Sequence, residues 1–254
     1  MSRDADLTRR RFLGLAGITS LAAGLTCATG AAGYFLLSAV RRSHGAADPS
    51  PTPRPLSLKQ IERPVITSRT DWGAREPNHE ARNESGFYSL LNEEGWREYE
   101  GDLRATYTTV VVHHSVILET ADDATMREIQ DLHMDDRGWA DIAYHFGVGT
   151  TGAVFEGRAL DVRGTHVEGA NTGSVGVVFF GNFEETVPTA EQLGAGEDLI
   201  NWLALRLELT HLAGHMDFND FTDCPGRNLS YYLEALAQSA GLELGTGGYV
   251  EPET

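Results

Sequence analysis

The sequence predicts a single α/β domain in which a central mixed β-sheet is covered by helices. Three observations predict it. β-Branched and apolar runs at 108–112, 142–148 and 174–180 read as buried strands. Between and after them lie segments with apolar residues at helical spacing, and this alternation implies a sheet with helices packed on it. The chain has 254 residues, 41% of them hydrophobic, which suffices for one well-buried domain plus tails.

In chain order, the domain is expected over 65–240, after a spacer at 48–64 with Pro49, Pro51, Pro53, Pro55 and Pro64. Alternating prolines make an extended, semi-rigid linker. Residues 78–104 are polar and acidic with scattered aromatics and read as an insertion with a short helix. The strand at 108–112 ends at His113-His114. Met126, Ile129 and Leu132 mark a helix over 122–135, with Asp122 and Asp123 in its first turn, where carboxylates suit the helix dipole. Gly138 ends it, and 142–148 forms the second strand. Thr151-Gly152 turns into a short strand at 154–156, and 174–180 forms a third long strand. Thr189-Ala190-Glu191-Gln192 is a capping box that opens a helix through Leu193, Ile200, Leu203 and Leu207. A last helix is expected over 229–239, followed by a flexible tail at 241–254.

Residues 1–47 read as a twin-Arg export signal or a membrane anchor. Thr8-Arg9-Arg10-Arg11-Phe12-Leu13 precedes 28 residues, Leu13 to Val40, without a charge. That stretch exceeds the roughly 20 residues needed to span a bilayer, so residues 13–40 could anchor the chain. The expected location is therefore periplasmic, extracellular or anchored to the outer face of the membrane. Formal net charge is −17; without residues 1–47, Lys and Arg fall from 20 to 14 and Asp and Glu from 37 to 35, leaving −21. So acidic a body argues against nucleic acid and anionic lipid as partners. Nothing in the residues specifies an oligomeric state.

Outside the leader the only cysteine is Cys224, which leaves an inert core thiol, an intermolecular bond or a metal ligand. His113 stands at the C-terminal end of a core strand, where ligands commonly sit in sheet proteins. His215, in Gly214-His215-Met216-Asp217, lies nine residues before Cys224 on one loop, so the two can converge without a fold-scale movement. Catalytic zinc takes three such His and Cys ligands and keeps a fourth position open.

Seven segments in order carry a resemblance to a known family, over Val65 to Leu233. They are Ser68-Arg69-Thr70-Asp71-Trp72-Gly73-Ala74-Arg75; Val110 to Ser115; Trp139 to Phe146; Val154-Phe155-Glu156-Gly157-Arg158; Asn171 to Val177; Gly181-Asn182-Phe183; and Gly214-His215 with Cys224-Pro225-Gly226. The sequence resembles the peptidoglycan recognition proteins and the related zinc N-acetylmuramoyl-L-alanine amidases. That resemblance implies one zinc ion held by His113, His215 and Cys224, with Tyr144 in the place of the family's catalytic tyrosine. Thr222 falls where active members carry Thr or Lys, in a loop about one residue longer than usual. It implies peptidoglycan or muropeptides as partner, with His114, His145, His166 and Asn171 lining the saccharide and peptide groove.

The implied activity is hydrolysis of the amide between the lactyl group of N-acetylmuramic acid and L-alanine, with Tyr144 and Thr222 stabilising the oxyanion. No Glu general base stands beside the ligands, since Glu156 reads as part of a structural Glu-Gly-Arg turn. After that turn Ala159-Leu160 matches neither pattern associated with a stem-peptide preference. Three rivals stand beside this expectation: a peptidoglycan-binding receptor that does not cut, a structural zinc site closed by Asp217 or Asp223, and a zinc peptidase acting within the stem.

Overall fold

The computed structural model describes residues 61–251. The expectations for the export segment and for most of the Pro-rich linker lie outside these residues. Within them, the order is β1 (Ile66–Thr67), α1 (Arg69–Trp72), β2 (Thr109–His114), α2 (Asp122–Asp131), β3 (Phe146–Val148), β4 (Val154–Glu156), β5 (Ser174–Phe179), α3 (Ala190–Leu207), β6 (His211–Gly214), α4 (Arg227–Ala240) and β7 (Glu243–Leu244). Seven strands form one mixed sheet in the order β1-β4-β3-β5-β2-β6-β7. Every pair is parallel except β3 with β4, whose short turn permits an antiparallel hairpin.

Strand β2 is central, with β5 on one side and β6 on the other, and Val110, Val111 and Val112 are fully buried. A strand buried on both faces reads as a continuous apolar run rather than an alternating one, which is why this segment was legible. Alternation still assigns the faces. Val110 and Val112 join the core under α3 and α4, with Leu199, Leu203, Leu229 and Leu233. Val111 packs on the other face against Val167 and Ala170. Farther along that second face, Met126 and Ile129 of α2 cover Val178 and Phe180. His113 shares the parity of Val111 and so projects from this second face.

The helices differ from expectation at their ends. Thr189 caps α3, its hydroxyl accepting from the Gln192 N–H at 3.0 Å, an interaction worth about 1 kcal/mol. The reciprocal half of the capping box is absent: the Gln192 amide donates instead to the carbonyls of Val148 and Phe180, stitching α3 to the sheet. Asp122, in the first turn of α2, accepts from the N–H groups of Thr150 and Thr151, so it also anchors the β3–β4 turn. α2 passes into a π-helical turn, Leu132–Asp136, that turns buried His133 toward Trp139, before Gly138 stops the chain at φ +69°. The second strand begins only at Phe146, because residues 142–145 are spent on side-chain and loop contacts.

Two expectations are corrected. The insertion at 78–104 contains no α-helix; a 3-10 turn at Leu103–Ala105 is its one helical piece, and its bridges are isolated. Its Glu84 reaches into the domain and pairs with Arg158 through both oxygens, at 2.6 and 2.7 Å. Arg158 also donates to the carbonyls of Ile142 and Arg163, and Glu84 accepts from the Ala140 N–H. The segment after 241 is not a loose tail through residue 250. β7 pairs with β6, and the Tyr249 hydroxyl donates to the Thr172 carbonyl at 2.7 Å.

His145 is a core residue. Its Nδ1 accepts from the Gly176 N–H at 2.9 Å, so its Nε2 carries the proton and donates to the Val162 carbonyl at 2.9 Å. Burial holds this imidazole down to about 4.

Removing one partner of a buried ion pair strands the other charge. Glu84→Ala is therefore expected to destabilise the domain by about 3–5 kcal/mol in urea unfolding; a loss under about 1 kcal/mol would refute the anchoring role. His145 gives a pH prediction. Its folded pKa lies below the unfolded value, so between about pH 6.5 and 4 only the unfolded chain takes up its proton. Stability present at neutral pH is thus lost as pH falls through that window. His145→Gln should flatten the dependence by up to one proton between pH 7 and 4.5; an unchanged slope would show that His145 does not contribute.

Candidate metal centre

The register of β2 against β6 places Val112 opposite Gly214. The next residues are His113 and His215, so the two imidazoles emerge side by side at the C-terminal ends of adjacent parallel strands, 4.8 Å apart between ring centroids. His113 is buried and His215 half-buried. After β6 the chain makes a 3-10 turn, His215–Asp217, in which the Asp217 carboxylate accepts from the Gly214 N–H at 2.8 Å. The Met216 N–H then donates to the Cys224 carbonyl at 2.7 Å, which closes the loop and returns Cys224 to His215. Cys224 Sγ lies 3.6 Å from His113 Nδ1 and accepts the His114 N–H at 3.4 Å.

One donor atom from each of His113, His215 and Cys224 falls within 4.8 Å of the others, and no fourth acidic or ligating side chain joins the group among the described residues. Bonds of about 2.0–2.1 Å to nitrogen and 2.3 Å to sulfur, at a tetrahedral angle, put the two donors about 3.6 Å apart. The observed nitrogen–sulfur distance matches, and the donor set is one zinc favours. Asp217, one of the two candidates for a closing ligand, is occupied by its turn.

The electrostatics point the same way. Burial, together with the neighbouring imidazoles of His166 and His215, holds His113 well below its ordinary value, so its ring is neutral and able to ligate. Burial pushes the Cys224 thiol up to about 12, partly offset by the His114 N–H. A thiolate here therefore needs a cation beside it.

The other expected site residues divide. Tyr144 stands against His113, with ring centroids 5.0 Å apart. Burial, and secondarily the charge of a Cys224 thiolate, raises its phenol well above the ordinary value, so it keeps its proton. Thr222 is brought to the loop, its hydroxyl accepting from the Cys224 N–H at 3.2 Å. His114 is half-buried, with its Nδ1 accepting from the Phe183 N–H at 3.3 Å. His145 does not line the groove, because both ring nitrogens are consumed in the core. His166 is buried, with its Nδ1 3.0 Å from His113 Nε2, so it stands behind a ligand rather than on the surface. The Asn171 side-chain Oδ1 accepts from the main-chain N–H groups of His166 and Val167, a loop-shaping role. Its remaining surface lines a depression of about 480 Å³ shared with Tyr88, Arg97 and Arg163.

One residue was missed. His133 packs with its ring centroid 5.4 Å from that of Tyr144, and its Nδ1 accepts from the Ala143 N–H, so a neutral ring carries its proton on Nε2. Burial holds this imidazole down to about 3. Its helical spacing placed it beside the apolar positions of α2, and the π-turn that redirects it has no sequence signal.

Residues 103–227 match the family described as N-acetylmuramoyl-L-alanine amidase. Peptidoglycan-recognition protein LB of Drosophila melanogaster is 34% identical over 172 residues, 65% of this chain and 65% of that protein. Peptidoglycan-recognition protein SD of the same organism is 30% identical over 177 residues, 67% of this chain and 84% of that protein. The crystal structure of that SD protein superposes with a TM-score of 0.54 at 29% identity, covering 68% of this chain and 94% of that chain. Peptidoglycan recognition protein LE, solved with tracheal cytotoxin, a monomeric diaminopimelic acid-type peptidoglycan, gives a TM-score of 0.53 at 27% identity, covering 68% and 92%. With the His-His-Cys group lying inside the matched region and the mixed sheet shared with these structures, the chain belongs to the family of peptidoglycan-recognition proteins and N-acetylmuramoyl-L-alanine amidases.

Proposed function

We propose that this chain is an exported zinc-dependent N-acetylmuramoyl-L-alanine amidase, hydrolysing the amide between N-acetylmuramic acid and the L-alanine of the peptidoglycan stem peptide. The observation that carries the proposal is the convergence of His113, His215 and Cys224 without a fourth protein ligand among the described residues. The solved complex of a relative with tracheal cytotoxin supports a muropeptide as the ligand class. Export by the twin-Arg route would bring the enzyme to that substrate.

When bound, zinc supplies polarisation of the scissile carbonyl and activation of water. The protein supplies the rest. The His114 N–H on Cys224 Sγ steadies the thiolate. The Tyr144 phenol, held protonated by burial, donates to the oxygen of the scissile carbonyl as it gains charge. The Thr222 hydroxyl, fixed by the Cys224 N–H, is the second donor. A donor of this kind is worth about 3 kcal/mol. A receptor that binds wall fragments without cutting them is the second reading, favoured by the relatives' names as recognition proteins.

Incubation with purified peptidoglycan separates the two. The amidase reading expects stem peptides with a free L-alanine amine, lost on chelation and restored by zinc. Binding without release from the wild type would establish the receptor instead. His113→Ala and Cys224→Ser should each abolish release while leaving the circular dichroism spectrum intact, and turnover surviving Cys224→Ser would defeat the zinc assignment. Tyr144→Phe should lower kcat by about 10²–10³-fold with little change in KM; an unaltered kcat would remove Tyr144 from the oxyanion site.

A further inference from the structure

We propose that His166 is a positioning residue, setting the tautomer and ring orientation of His113 so that His113 Nδ1 presents its lone pair to the metal. This rests on the reading of His113, His215 and Cys224 as a zinc site. The argument starts from Ser174. Its carbonyl can only accept, and it faces His166 Nε2 at 3.4 Å, so that nitrogen carries the hydrogen. Both imidazoles are buried, His113 at 1% and His166 at 6% exposure, and among the described residues no carboxylate is hydrogen-bonded to either ring to compensate a positive charge. Each ring is therefore neutral and carries one proton. With Nε2 protonated, His166 Nδ1 is an acceptor, and the 3.0 Å contact assigns the shared hydrogen to His113 Nε2. His113 Nδ1 is left bare, and it is the atom that faces Cys224 Sγ. A relay from a β5 carbonyl through His166 thus selects the ligating nitrogen on β2.

The His166 ring has little freedom to do otherwise. It lies between Gly164 and Gly176, where an added Cβ would fall 2.4 and 2.7 Å from its Cδ2. Two main-chain segments therefore clamp the ring closely enough to exclude any side chain. The His166 main-chain N–H donates to Asn171 Oδ1 at 2.6 Å, which fixes the backbone that carries the ring. A groove-lining histidine would need a free edge, whereas this ring spends one nitrogen on His113 and the other on the sheet. Hydrogen bonds to the far nitrogen of a metal-bound histidine fix its tautomer, and their loss typically costs about 10–100-fold in metal affinity.

The test is zinc affinity, measured by competition with a chromogenic chelator on the purified wild type, His166→Leu and His166→Asn. Leucine fills space but cannot accept; asparagine offers Oδ1 at the place of Nδ1. Leucine is expected to weaken zinc binding by about 10–100-fold, and asparagine to restore most of it. A leucine variant within twofold of wild type, or an asparagine variant no better than leucine, overturns the proposal. Nitrogen-15 NMR of the zinc-loaded wild type gives an answer that does not depend on any variant folding. His113 and His166 should both be protonated on Nε2; a proton on His113 Nδ1 overturns the assignment. A wild type that binds no zinc would overturn the metal reading itself, and with it the role of His166, whereas zinc binding unaffected by the variants would refute the positioning role alone.

Discussion

The pairing of β2 with β6 is the constraint on which the site depends. Because Val112 lies opposite Gly214, the two histidines that follow are neighbours without any adjustment of the backbone. Side chains alternate across a strand, so a slip of one residue would send His113 to the opposite face, into the core beneath α3 and α4. The valines prevent it. Val110 and Val112 are committed to that core, and exchanging them for His113 would bury a polar ring among leucines. The hydrophobic pattern of a core strand thus sets the position of a ligand.

The two faces of the sheet are treated differently, and this makes room for chemistry. α3 and α4 cover one face along its length. On the other, α2 covers the β3–β5 side, while the β2–β6 side is bordered by loops that carry Val167, Ala170 and Phe218. Histidines and a cysteine gather where the helical cover ends. Burial keeps the imidazoles neutral and disfavours the thiolate, so the group is poorly suited to holding a net charge on its own and well suited to a cation.

The insertion has a structural part in this. Glu84 crosses into the domain to neutralise Arg158, whose guanidinium also holds the carbonyls of Ile142 and Arg163. The Ile142 contact braces the segment that carries Tyr144, and the Arg158 main-chain N–H donates to the Tyr144 carbonyl at 2.9 Å. A stretch that reads as a peripheral addition therefore helps to hold the phenol against His113.

The sequence by itself determined four of the seven strands, β2 to β5, together with the three main helices and the three metal-binding candidates; the edge strands β1 and β7 and the strand β6 carry too short a pattern to be read. Its signals were local: an unbroken valine run, apolar residues at helical spacing, and a cysteine with no partner. It also determined the family, through short segments in a fixed order. Only the tertiary structure decided what each remaining polar residue faces. His145 and His166 carry the same side chain and lie near the same loops, yet one is spent inside the core and the other behind His113. Asn171 shapes a loop, and Glu84 and His133 acquire partners 74 and 10 residues away. A hydrogen bond depends on which distant group the packed chain brings within about 3 Å. Hydrophobic periodicity reports burial and is silent about that partner.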